Sequence, residues 1–321
     1  MSHARSTPRL GLGLAALGRP GYINLGHARD LEGDYDPAAM RARAETVLDA
    51  AYAGGIRHFD AARSYGRAEE FLSGWLAARG LGRAEVVVSS KWGYTYTAGW
   101  RVQAAAHEVK DHSAQNFERQ WPQTRGLLGE TLRFYLAHSV TLDSPLLSNT
   151  QTLKRLSELR AAGVMPGLSV SGPHQAEVIE RALGLTLGGQ PVFGAVQATW
   201  NLYEQSAGPA LRAAKEAGWT VYVKEALANG RLTSRAEATL PPALRELCRQ
   251  HQLMPDALAL AAVLAQPFAD VVLSGASTTS QLQSNLKARQ VGLDAADLVA
   301  LLASPQTPER YWQTRSELAW N

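Results

Sequence analysis

Asp60, Tyr65, Lys91 and His138 supply a carboxylate, a phenol, an ammonium and an imidazole, a set suited to proton transfer at a carbonyl oxygen. Three of them end apolar, strand-like runs. Asp60 ends Gly55-Ile56-Arg57-His58-Phe59-Asp60, Lys91 ends Val86-Val87-Val88-Ser89-Ser90-Lys91, and His138 ends Leu132-Arg133-Phe134-Tyr135-Leu136-Ala137-His138. Tyr65 lies in the loop after the first run. A free phenol titrates near 10 and is a poor acid at neutral pH, so Tyr65 as general acid calls for help. An ammonium nearby lowers that value, which gives Lys91 a role, and Asp60 can hold Lys91 in place. His138 can donate to the substrate oxygen and orient it. Singly, each residue has a plainer reading: a helix cap, a rim aromatic, a surface lysine, a buried histidine. Together, at successive strand ends, they read as one site.

Residues this far apart converge only if the strand ends share a face, as they do in a parallel barrel. Strand-like runs near 10–16, 56–60, 85–90, 133–138, 166–171, 192–197, 219–224 and 270–274 alternate with amphipathic stretches near 39–53, 67–79, 114–129, 150–162, 173–184, 205–217 and 279–289. Val47, Leu48, Ala51 and Tyr52 show the spacing of a buried helix stripe, as do Leu153, Leu156 and Leu159. Gly55, Gly80, Gly163 and Gly218 stand where helices should end. Eight such units predict one (β/α)8 TIM barrel over residues 1–321. Two segments exceed the minimal repeat. The aromatic stretch 92–113 should form a long loop over the C-terminal face. The stretch 225–270 carries an extra helix pair near 241–252 and 255–266.

The bulk composition fits this reading. Of 321 residues, 45% are hydrophobic, which is ample for a core, and the net charge is only +3. Only six of the 32 basic residues are lysines. No basic stripe with interleaved aromatics points to nucleic acid. The single cysteine, Cys248, excludes an internal disulfide and a cysteine-based metal cluster, and His107 with His112 lack a third ligand. No metal is expected. Residues 1–9 lack a signal-peptide core, and no apolar run is long enough to span a membrane, so a cytoplasmic protein is the expectation.

From about residue 8 to 290 the chain resembles the aldo-keto reductases. Phe59-Asp60-Ala61-Ala62-Arg63-Ser64-Tyr65-Gly66 is similar to the family's Asp-Thr-Ala-x-x-Tyr-Gly segment. Ser90-Lys91-Trp92-Gly93 and Tyr135-Leu136-Ala137-His138-Ser139 resemble its lysine and histidine motifs. Gly167-Leu168-Ser169, Val196-Gln197 and Ser274-Gly275-Ala276-Ser277 with Gln281-Leu282 and Asn285-Leu286 resemble its later motifs.

The resemblance implies an oxidoreductase that reduces an aldehyde or ketone, or oxidises the matching alcohol, with a nicotinamide cofactor held without a Rossmann domain. It places Ser169 and Gln197 on the carboxamide, the backbone near Leu227, Asn229 and Gly230 at the pyrophosphate, and Gly275, Ser277, Gln281 and Asn285 at the adenosine end. NADP(H) is the family habit, with NAD(H) the alternative, because the resemblance puts Thr278 where an arginine often grips the 2′-phosphate. Lys287, Arg289 or Arg231 could replace that charge from elsewhere. Ser284 stands where a glutamate often contacts adenine, and Val170 where an asparagine is usual. Lys224 occupies the position of the aromatic that stacks on the nicotinamide. It could contact a cofactor phosphate or pair with Glu225, leaving Trp200 as a conceivable stacking partner.

The substrate is expected to be a small-molecule carbonyl compound, with Trp92 and Trp200 as candidate contacts. Trp92, Tyr94, Tyr96, Trp100 and Trp121 could form an aromatic pocket for flat or apolar carbonyls, or equally the core of the long loop. Asp111, His112 and Ser113 could bind substrate or cap a helix. Pro308-Glu309-Arg310-Tyr311-Trp312 could cover the pocket or mediate self-association, and the oligomeric state stays open. Two other functions remain. One is a non-enzymatic, redox-sensing module that binds the nicotinamide cofactor. The other is a Schiff-base lyase using Lys91 or Lys224.

Overall fold

The short apolar runs pair in parallel, and the pairing closes on itself. In the computed structural model, which describes residues 9–321, the barrel strands are β1 (Arg9–Gly13), β2 (His58–Asp60), β3 (Val87–Trp92), β4 (Leu132–Val140), β5 (Met165–Val170), β6 (Ala195–Thr199), β7 (Thr220–Lys224) and β8 (Val271–Ser274). Each bonds to its neighbours in sequence, and β1 closes on β8. Helices Pro37–Ala53, Ala68–Ala78, Ala114–Leu128, Thr150–Glu158, Gln175–Leu183 and Gly208–Glu216 follow β1 to β6, Pro242–His251 and Pro255–Leu264 follow β7, and Thr279–Leu286 follows β8, giving a (β/α)8 barrel.

Register places the chemistry. Gly13 pairs with Asp60, Asp60 with Ser89, Lys91 with Leu136, Gln197 with Ser169, and Thr199 with Lys224. The C-terminal residues of the strands therefore lie at one level. Beneath them the barrel is plugged by Tyr222, Val271 and Leu273 with Phe134 against them. His58 packs on Tyr222 there, and burial pushes its imidazole down to about 4.

The helices form for local reasons. Asp36 caps Pro37–Ala53 by accepting from the amides of Ala38 and Ala39, and Pro37 opens it without sacrificing a needed N–H. Met40, Ala44, Val47, Leu48 and Ala51 are its buried stripe. Gly55, Gly80, Gly163 and Gly218 all adopt positive φ past helix ends, as the sequence predicts.

Residues 92–113 are more ordered than a loop. Tyr94–Tyr96 and Glu108–Lys110 pair as an antiparallel hairpin. The extra helices are Pro242–His251 and Pro255–Leu264. They share a second core with the C-terminal helix Pro308–Ser316, whose Tyr311 and Trp312 insert beside Leu202, Leu240, Leu244 and Leu258. Cys248 is half-buried beside this core, and burial raises its thiol to about 11. Among the described residues no helix is long and apolar enough to cross a membrane, and no group of three or more His, Cys, Asp or Glu is arranged to hold a metal ion.

Candidate active site

At the C-terminal end of the strands lies a cavity of about 540 Å³, whose lining includes Asp60, Tyr65, His138, Gln197 and Lys224. Lys91 is fully buried just below it. Its Nζ pairs with the Asp60 carboxylate and donates to the Ala61 carbonyl at 3.0 Å, while Ser89 Oγ donates to Asp60 at 2.7 Å. Ser89 is the register partner of Asp60, so the β2–β3 ladder aligns the pair. The ammonium lies 4.8 Å from the centre of the Tyr65 ring.

Tyr65 is held by its own loop. The amide of Arg67 donates to the Gly18 carbonyl at 2.7 Å, and that of Arg63 to the Lys91 carbonyl at 3.0 Å. The loops pack backbone on backbone. A Cβ at Gly18 would lie 2.2 Å from the Tyr65 carbonyl oxygen, and one at Gly66 would lie 2.4 Å from that of Gly18. His138 sits on a bulge of β4, where the pairing with β5 shifts between Ala137 and Val140 and Ser139 takes φ 49°. A bulge re-aims a side chain. Here it sets His138 Nε2 3.5 Å from the Tyr65 hydroxyl, with Nδ1 3.3 Å from Ser64 Oγ.

Electrostatics keep both groups neutral. Burial raises the Tyr65 phenol well above its ordinary value; Asp60 adds to the shift and Arg19 opposes it. The sequence argument expected Lys91 to lower it. Burial instead dominates, and Lys91 is paired with Asp60. Burial, then Lys91 and Lys224, hold the His138 imidazole well below its ordinary value. A protonated phenol therefore faces a neutral imidazole.

The walls come from elsewhere. The Arg19 guanidinium, 3% exposed, lies 5.1 Å from the Tyr65 ring centre, 5.1 Å from that of Tyr22 and 5.0 Å from that of Trp320. It pairs with Glu108 of the hairpin, and its Nε is buried with no partner. Trp320 stacks on His107 at 3.8 Å between ring centres. Lys224 Nζ donates to Thr199 Oγ1 at 3.0 Å, and burial pushes it down to about 8. Glu225 does not take Lys224 as its salt-bridge partner. Arg315 of the C-terminal helix grips both Glu225 oxygens through Nε at 2.9 Å. Burial would raise this carboxyl, but Arg315 and Lys224 outweigh it and hold it at about 2. The C-terminal segment thus covers the pocket.

Two aromatic expectations fail. Trp92 is buried on the outer side of β3, 5.0 Å from Phe117 between ring centres, and does not line the cavity. Side chains alternate along a strand, so with Lys91 facing in, Trp92 must face the helices. Trp200 likewise packs against Phe268 at 5.6 Å, so it stacks on no ligand in the cavity. Trp100 and Trp121 pack around Phe71 and Phe117; of the loop aromatics, Tyr94 reaches the lining. Ser113 caps the helix Ala114–Leu128, and His112 supports the bulge by bonding the His138 carbonyl at 2.8 Å. Ser169 is buried behind the surface. Its Oγ accepts from the Ser139 amide at 2.8 Å, and Ser139 and Ser171 line the cavity.

Toward its far end the cavity is lined by Leu227, Asn229, Gly230, Gly275, Gln281, Ser284 and Asn285. Asn229 Oδ1 and Ser284 Oγ are buried there without partners, as is Gln197 Nε2 at the strand ends. Thr278 caps the helix Thr279–Leu286. Ser277 and Gln281 reach Asp30, which pairs with Arg235. Arg19, Glu108, Arg315, Trp320, Asp30 and Arg235 are not visible in the sequence, because they lie outside the repeating barrel units. The aromatic pair Tyr311-Trp312, as an anchor, was the one signal for Arg315.

A model described as the aldo/keto reductase family matches residues 9–303. An aldo-keto reductase, str7, of Strobilurus tenacellus is 24% identical, over 92% of this chain and 90% of its own. Protein tas of Escherichia coli is 25% identical, over 83% and 90%. The holo form of aldo-keto reductase AKR11C1 from Bacillus halodurans superposes with a TM-score of 0.67 at 20% identity, covering 96% of this chain and 91% of that one.

Proposed function

Since the chain belongs to the aldo/keto reductase family, we propose that it is a nicotinamide-dependent oxidoreductase that reduces an aldehyde or ketone with Tyr65 as general acid. The observation that carries this reading is the Tyr65 hydroxyl 3.5 Å from His138 Nε2, lining a cavity of about 540 Å³. The lining fits such a cofactor. The orphaned Gln197 Nε2 suits a carboxamide oxygen, and Asn229 Oδ1 and Ser284 Oγ offer unspent partners further along. Leu227 and Gly230 accompany Asn229, and Gly275, Ser277, Gln281 and Asn285 frame the adenosine end. Ser169 acts one layer back, through Ser139.

When bound, the nicotinamide supplies a hydride to the carbonyl carbon. His138 holds the carbonyl oxygen beside Tyr65. As negative charge grows on that oxygen, Tyr65 releases its proton to it. The Lys91 ammonium, held in place by Asp60, lies against the ring and faces the phenolate left behind. Alcohol oxidation runs the same steps in reverse.

The walls favour polar substrates. Arg19 with Glu108 and Lys224 with Glu225 and Arg315 offer donors and acceptors along the cavity. A carbonyl compound bearing hydroxyl or carboxylate groups therefore fits best. The test is oxidation of NADH or NADPH, driven by hydroxylated and carboxylated aldehydes against plain alkyl ones. Turnover of none of them, with a bound dinucleotide, would leave the non-enzymatic module. A second reading, an amine nucleophile at Lys224, draws on its value of about 8. Borohydride trapping of a carbonyl compound on Lys224 would support it. Lys91, fully buried against Asp60, is not such a nucleophile.

A further inference from the structure

Behind the far end of the cavity, whose lining includes Arg235, Ser280 and Gln281, lies an anion of the protein's own. Ser277 Oγ and Gln281 Nε2 are the donors a phosphate would take beside the first turn of Thr279–Leu286. Both are committed to Asp30: Ser277 Oγ donates to Oδ2 at 2.7 Å and Gln281 Nε2 at 2.9 Å. Arg235 completes the set, with Nη1 3.0 Å from Oδ2 and Nη2 on Oδ1. Asp30 comes from residues 27–30, about 250 positions away in sequence, and its side chain is almost wholly buried. Its hydrogen bonds and Arg235 outweigh burial and hold its carboxyl below the ordinary range, so it is ionised at neutral pH.

The charge balance follows. Arg235 is neutralised by Asp30. The cations that sequence reasoning offered as replacements do not complete the cluster. Arg289 donates to the Gly54 carbonyl, Arg231 lies over the Tyr203 and Tyr311 rings, and Lys287 joins none of the cluster's bonds. Thr278 caps its helix. A doubly charged 2′-phosphate at this end of the cavity would find Arg235 already neutralised by Asp30 and no spare cation. A ribose 2′-hydroxyl is neutral and needs none.

We propose that Asp30 sets the cofactor preference by excluding a 2′-phosphate, so that the protein uses NAD(H) over NADP(H). This rests on the dinucleotide reading of the cavity above. Calorimetric titration of the intact chain with NADH, NADPH, ADP-ribose and 2′-phospho-ADP-ribose tests it without turnover. NADH should bind about tenfold or more tightly than NADPH, with the same order for the two ribose fragments. Asp30→Asn keeps the shape, removes the charge and frees Arg235. It should narrow the gap by about tenfold, through tighter NADPH binding, and Asp30→Asn with Arg235→Gln should lose that gain. Equal or tighter NADPH binding by the unmodified chain overturns the inference, as does an unchanged ratio in a folded Asp30→Asn variant. Binding of neither dinucleotide overturns the cofactor reading itself.

Discussion

Two buried ion pairs flank the cavity and are built in opposite ways. Asp60 and Lys91 stand on adjacent strands, and their side chains are 4% and 0% exposed. Backbone register fixes both, and Ser89 and the Ala61 carbonyl take up the remaining bonds. Glu225 and Arg315 are 90 positions apart, with side chains 7% and 24% exposed. One follows a strand end and the other rides on a helix attached by its own small core. The floor is placed by hydrogen-bonded backbone, and the wall by side chains finding each other. The floor should therefore tolerate almost no change, whereas the wall can be rewritten in matched pairs.

Tyr65→Phe presses hardest on the floor. It should cut turnover by about a hundred- to ten-thousand-fold, the usual worth of a general acid, while dinucleotide binding persists. Steady-state kinetics beside a fluorescence titration separate the two; retained turnover would remove Tyr65 from its role. Lys91→Met follows, because it strands the Asp60 carboxylate in the interior. Breaking such a pair costs about 3–5 kcal/mol, read as a lower denaturant midpoint. Arg315→Met is the matching change in the wall. A charged hydrogen bond to a half-open group is worth about 1.5–3 kcal/mol at most, so stability should fall less than for Lys91→Met, with substrate KM moving more than kcat. An equal loss at both pairs would erase the distinction between floor and wall.

The smallest effect is a matter of pH. Lys224 is charged below about 8 and neutral above it. The KM for a carboxylated substrate should rise a few-fold as pH passes 8, and Lys224→Met should flatten that profile. The sign for stability is opposite. Burial lowers this lysine from an unfolded value of about 10.4, so the unfolded chain binds more protons between the two values, and stability contributed here rises with pH across that window.

The same division decides what the sequence could reveal. Asp60, Lys91 and His138 end apolar runs whose periodicity is visible, so the barrel and its floor are legible residue by residue. Trp92 was misplaced as a substrate contact, although its neighbour Lys91 already fixed its parity. The lowered phenol was also a misjudgement, since proximity of an ammonium is readable from motifs but burial is not. Arg19, Glu108, Arg315 and Asp30 meet their partners across long stretches of chain, and nothing local announces such meetings.

Gly18 and Gly66, pressed backbone to backbone beneath Tyr65, behave as a single position spread over two. In a saturation library they should be the two least forgiving sites outside the reacting groups. A pairwise library should find no rescue, since an atom added at Gly18 meets the Tyr65 carbonyl and one added at Gly66 meets that of Gly18. Any route by which such a sequence drifts toward new substrates must go around them, through the charged walls.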